Sequence, residues 1–255
     1  MAKKPGKHPA DAAAPKKPGI IGRFEAISMS VASNLRLPFM RAWLSAYFRP
    51  AETCEKGLQK ASIKNIAINL LVFYFAFAFV FFVLAAISYY IAGASELSSG
   101  SNAVFNPFDY ALQVLVIGPI TDTAIMFIVL FLLFVSSKIM GGKAAFSQQS
   151  YAISLVFCGG MSIAAAFVSF AFAALISASL FGGVSMLGAL AMAMGMLLAL
   201  AFLLMLLASL LYGIYSYYRM IRCVHNLSGI RAAGALSCTL ALVILINYLL
   251  AILLS

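Results

Sequence analysis

Charge is scarce in this chain. Aspartate, glutamate, lysine and arginine make up 9% of its 255 residues, against about a quarter in a soluble domain. So few charges cannot clothe a water-facing surface. The seven acids are scattered, and Asp122 alone falls inside a long apolar stretch. There are two histidines, His8 and His225, so no acid–base pair is placed for chemistry and no ligand cluster for a metal. Cys54, Cys158, Cys223 and Cys238 show neither CxxC nor metal spacing and imply no disulfide framework. No phosphate-loop lysine motif and no glycine fingerprint following a strand occur. These absences predict a protein that is not an enzyme and carries no cofactor and no metal.

What is present is apolar. Hydrophobic residues make up 64% of the chain, mean hydropathy is +1.03, and several apolar runs exceed the ~20 residues needed to cross a bilayer as helix. The runs are continuously apolar and too long for barrel strands. The expected fold is all-α: a polytopic membrane protein with a five-helix transmembrane bundle.

The 17 basic residues orient it. Twelve precede the first apolar run, Lys138 and Lys143 separate the second from the third, and Arg219, Arg222 and Arg231 separate the fourth from the fifth. All therefore fall on the side of the N-terminus, which the positive-inside rule makes cytoplasmic, with the C-terminus outside. Basic charge beside apolar spans points to anionic headgroups and topology rather than nucleic acid.

Residues 1–18 form a Lys-, Pro- and Ala-rich tail, expected to be disordered and to leave His8 solvated. Residues 19–64 read as cytosolic or interfacial amphipathic helices. Ile20, Phe24, Ile27 and Val31 fall at helical spacing, so 20–35 either lies flat on the membrane or packs on the protein. Trp43, Tyr47 and Phe48 suit the headgroup level. Residues 65–255 form the five-span domain, with spans at about 66–92, 116–137, 151–177, 187–218 and 232–254. A polar loop at 95–109 joins the first two.

Within the spans, the alternating Phe73, Phe75, Phe77, Phe79 and Phe81 spread around a helix and read as lipid-facing. Gly118-Pro119 opens the second span, which makes Asp122 either an intramembrane polar site or an N-terminal-turn acid favoured by the helix dipole. Gly159-Gly160 lies near the middle of the third span. Gly188, Ala191, Gly195 and Ala199 form a small-residue stripe suited to close helix approach. Met192, Met194 and Met196 point in different directions and read as packing. Cys54 and Cys223 lie near the inner surface and read as structural thiols rather than acylation sites.

Residues 138–146, KIMGGKAAF, carry the only lysines after Lys64. Gly141 or Gly142 is expected to end a helix with positive φ. With the second inner loop, 219–231, this stretch forms a candidate contact face for partners or lipids: Lys138, Gly141, Gly142, Lys143, Phe146, Arg219, Arg222, His225 and Arg231.

Three segments, RPAETCEKGLQKASIKNIAINLL, FVSSKIMGGKAAFSQQSYAISLVF and YSYYRMIRCVHNLSGIRAAGAL, together resemble the Yip-domain family of Ypt/Rab-interacting membrane proteins in its broad form with prokaryotic members. The resemblance covers about residues 50–255. It implies five spans and a cytosolic N-terminus and, from eukaryotic members, small-GTPase binding and a role in vesicle traffic. The Asp-Leu-Tyr-Gly-Pro-type motif of those members is absent, with IGPITD in its place. The prokaryotic cast favours a plasma membrane over Golgi or ER.

Two functions follow as expectations. The first is a non-enzymatic membrane scaffold or partner-binding protein that engages anionic headgroups, a protein partner, or further copies in a homo- or hetero-oligomer. The alternative is a small-molecule or ion transporter or channel component, which usually needs polar or broken helices near the midplane; Gly159-Gly160 is the main such feature, and Asp122 falls only about a turn below the outer surface.

Overall fold

The computed structural model describes residues 19–34, 38–96, 111–181 and 186–254. The tail at 1–18 and all but the first two residues of the polar loop at 95–109 lie outside the described residues, and those two continue the preceding helix. All regular structure among the described residues is helical. Three short helices come first: α1 Ile20–Asn34, α2 Pro38–Phe48 and α3 Pro50–Gly57. Five long ones follow: α4 Ile63–Glu96, α5 Gly118–Ile139, α6 Phe146–Phe181, α7 Met186–His225 and α8 Gly229–Leu254. Each of the five contains a stretch long and apolar enough to cross a membrane. Pro50 occupies the first turn of α3, where its missing N–H costs nothing.

Two boundaries differ from expectation. The second apolar helix does not open at Gly118-Pro119: helix is already present at Ala111, and a π turn at Gln113–Ile117 leads into α5. Pro119 has no N–H and its ring crowds the carbonyl four residues back, so the preceding turn widens and the Gly118 N–H reaches Gln113 O. Asp122 is thus preceded by at least 11 helical residues, and the N-terminal-turn reading of it fails. At the other site, 219–231 is not a loop. Nothing breaks the helix after Tyr218, so α7 runs on through His225 and the turn to α8 is short.

The most extensive packing joins α6 to α7; α4 lies on α6, α5 lies against both α4 and α8, and α2 lies on α6. In lipid, burial of apolar surface gives helices little reason to associate, so fit and hydrogen bonds must hold the bundle. Gly188, Gly195 and Ala199 of the small-residue stripe are buried, while Met192, Met194 and Met196 face outward. The alternating phenylalanines divide: Phe75, Phe79 and Phe81 are exposed, and Phe73 is core.

The large buried side chains gather toward the end where α5 meets α6 and α7 meets α8, which we term the basic end. There α2 wedges into the bundle. Trp43 and Tyr47, expected among headgroups, are buried. The Trp43 indole N–H donates to Asn69 Oδ1 at 3.4 Å, the Tyr47 hydroxyl donates to the Ser209 carbonyl, and the Ser216 hydroxyl donates to the Tyr47 carbonyl at 2.8 Å. Gly159 and Gly160 make room. A Cβ on Gly159 would come 2.8 Å from the Trp43 carbonyl carbon, and one on Gly160 would come 2.8 Å from the Tyr47 ring. The helix is unbroken through both glycines, so they form a docking slot and not an interruption. Farther along, Phe24 of α1 stacks on Phe167 at 5.7 Å and Glu25 pairs with Arg49. This contact fits the protein-packed alternative for α1, although Ile27 and Val31 remain exposed.

Candidate functional site at the basic end

Two helix ends, built alike, define this region. At the end of α5, Gly141 has φ +90°, the Gly141 N–H donates to Lys138 O at 2.9 Å and the Gly142 N–H donates to Ser137 O at 2.8 Å. At the end of α7, Asn226 has φ 52°, its N–H donates to Cys223 O at 3.3 Å, and the Leu227 N–H donates to Arg222 O at 3.1 Å. Both are Schellman motifs, in which a left-handed residue folds the chain back onto carbonyls the helix leaves free. Glycine takes that conformation without a Cβ penalty, and asparagine is the usual substitute.

His225 locks the two ends together. Its ring is 1% exposed. Nδ1 accepts the Ala144 N–H at 3.2 Å, so Nε2 carries the proton and donates it to Gln149 Oε1. A proton on Nδ1 would oppose the Ala144 N–H, so the geometry requires neutral imidazole. α7 is 40 residues long, about 60 Å and twice the hydrocarbon thickness; its last two turns, with Arg219, Arg222 and His225, lie beyond the apolar run. There, burial first and the Lys138 charge second lower the His225 pKa from 6.5 to about 4. Gly142 abuts this ring: a Cβ would come 2.7 Å from Ser137 O and collide with the imidazole.

The other expected contact residues sort around this lock. Lys138, Lys143 and Arg231 are exposed, and the Arg231 guanidinium lies beside Gly141. The Lys138 ammonium sits 5.4 Å from the Phe134 ring centroid, and Phe134 meets Phe146 edge-on at 5.5 Å. Arg222 is exposed and Arg219 half-buried, its guanidinium 6.0 Å from the Tyr215 ring. Two corrections to the expected surface follow. His225 is buried and spent on internal packing, and Gly142 is half-buried against its ring. Arg219 and Arg222 face α3 and do not join Lys138, Lys143 and Arg231 around Gly141.

Cys54 of α3 is buried against Cys223 of α7, and burial together with that neighbouring thiol pushes it up to about 12. It is a poor nucleophile. Asp122 is remote from the basic end, exposed on α5 and within electrostatic reach of Tyr74. Sequence reasoning missed Gln149, whose only signal was its place three residues into the helix after the glycine turn. It also missed the approach of α3 to α7, which no local pattern encodes.

No family model, no curated protein and no solved structure matches this chain.

Proposed function

We propose that this protein is a non-enzymatic membrane scaffold whose basic end recruits a protein partner or anionic lipid. In this reading the five apolar helices span the bilayer, the N-terminus is cytoplasmic and the C-terminus outside, which the one-sided placement of all basic residues supports. One observation carries it. Lys138, Lys143 and Arg231 are presented around a turn that buried hydrogen bonds hold rigid, and a preorganised cationic surface loses little entropy on binding. The Yip-domain resemblance enters as part of this proposal and favours a plasma membrane with a trafficking-like or organising role. The slot for α2 also supports it, since it removes the broken helix a transporter would use.

Asp122 favours the second reading, transport of an ion or small solute, because a carboxylate well inside an apolar helix is costly without a role. One paired experiment decides. Crosslinking in native membranes, with captured proteins and lipids identified, should show a several-fold loss in the K138Q/K143Q/R231Q variant. An unchanged capture set, together with solute flux in proteoliposomes that D122N abolishes, would replace the scaffold with a transporter.

A further inference from the structure

A cup of about 380 Å³ opens between α3 and the end of α7, lined by Ala51, Arg219, Arg222, Cys223, Asn226 and Leu227. At about 100° per residue, Arg219, Arg222 and Cys223 fall within roughly 100° of arc on α7, and Asn226 follows in the turn that ends it. His225 points about 110° away from the centre of that arc, so the cup and the histidine lock use different faces of one helix. Among the described residues no carboxylate pairs with Arg219 or Arg222. Glu52, in the first turn of α3, does not line the cup; it is exposed and turned toward Arg49 at 3.8 Å.

We propose that this cup binds a phosphate group, as a mono- or diester carried by a membrane lipid or by a soluble molecule. Two guanidiniums line one concavity without a carboxylate partner among the described residues, Arg219 also lying over the Tyr215 ring, and planar, bidentate donors suit phosphate oxygens. The far wall adds to them. The N-cap of α3 is Arg49, which makes no side-chain cap hydrogen bond, and Pro50 has no N–H, so the next free amide of the first turn belongs to Ala51 in the cup wall. That places the positive end of a helix dipole beside the arginines. The C-terminus of α7 would oppose an anion, but its Arg222 and Cys223 carbonyls are engaged by Leu227 and Asn226. The Asn226 side chain, exposed at the rim, supplies a further donor. The cup is larger than a phosphate alone and leaves room for part of the group esterified to it.

This inference rests on the reading of the basic end as a binding surface but on different residues, so the two fail separately. The full-length chain is reconstituted in nanodiscs of phosphatidylcholine with or without phosphatidylglycerol, extracted gently, and the retained lipid counted by native mass spectrometry, with inorganic phosphate as competitor. Wild-type protein should retain phosphatidylglycerol preferentially. R219Q/R222Q should lower that retention, or the affinity for inorganic phosphate, by about tenfold or more, and R219K/R222K should restore only part. Retention that phosphate displaces identifies the bare phosphate group as the determinant and admits a soluble ester. Retention that resists phosphate but is lost in R219Q/R222Q identifies the lipid headgroup. A51E places a carboxylate in the cup with both arginines intact and should abolish either. Equal retention by wild type and R219Q/R222Q, or an A51E variant indistinguishable from wild type, would overturn the proposal.

Discussion

Two glycine pairs in this chain look alike on paper and perform unlike work. Gly141-Gly142 ends a helix; Gly159-Gly160 sits in the middle of one. In the first pair Gly141 supplies a backbone conformation, φ +90°, and Gly142 supplies clearance for an imidazole. In the second pair neither glycine has an unusual φ, and both supply clearance, for the backbone and ring of α2. The difference shows when a glycine in a membrane helix signals a break. What matters is whether a neighbouring element needs the space, and Trp43 and Tyr47 need it here.

The sharpest way to break the comparison is to fill the slot. In Gly159→Leu the new side chain meets backbone atoms of Trp43, which cannot swing aside as a flexible side chain would. Over-packing of this kind costs about 3 kcal/mol, enough to expel α2 while leaving the five apolar helices inserted. Trp43 is the chain's one tryptophan, so its emission reports the event directly. We expect a red shift and a lower midpoint in graded detergent unfolding. Unshifted emission in a folded Gly159→Leu protein would show that the glycines do not hold α2.

Gly141→Ala tests the other pair with a smaller effect. A left-handed alanine costs about 1–2 kcal/mol, and the same unfolding assay should register that loss with Trp43 emission unchanged. Gly141→Asn should recover much of it, since Asn226 already serves at the equivalent position of α7. Equal loss in both variants would mean that the space beside Arg231, and not the backbone angle, selects glycine at 141.

The same contrast explains what could be read in advance. Five apolar runs set five helices because length and composition suffice for that, and the turn at Gly141 was legible because helix capping is local. The stripe at Gly188, Gly195 and Ala199 was legible because close approach needs small residues at helical spacing. The α2 slot was not: Trp43 and Tyr47 are equally suited to headgroups and to a protein groove, and only a contact across more than 100 residues of sequence separates the two. The end of α7 is hidden for a related reason, since Arg219 and Arg222 make a helix look like a loop when the surface they face, α3, is unknown. The sequence puts His225 beside the glycine turn but hides its burial, because it does not reveal that Ala144 and Gln149 satisfy both ring nitrogens.

The histidine also yields the subtlest test of the Gly141-Gly142 region. Its folded pKa, about 4, lies below the ordinary 6.5 because burial disfavours the charged ring. Between those values the unfolded chain binds a proton that the folded chain refuses, so stability rises with pH across that window. The contribution is complete above about 6.5 and is lost as pH falls toward 4. The accessible part is small, because carboxylates begin to titrate near the lower limit. Unfolding midpoints measured from pH 7.5 down to pH 5.5 should therefore decline in the wild type, with Trp43 emission steady until unfolding, because the lock lies at the ends of α6 and α7, away from the Gly159-Gly160 slot. In His225→Gln, which cannot take up the proton, the decline should flatten. An equal decline in both proteins would place the titrating group elsewhere and remove the neutral imidazole from the account of how α5 and α7 are joined.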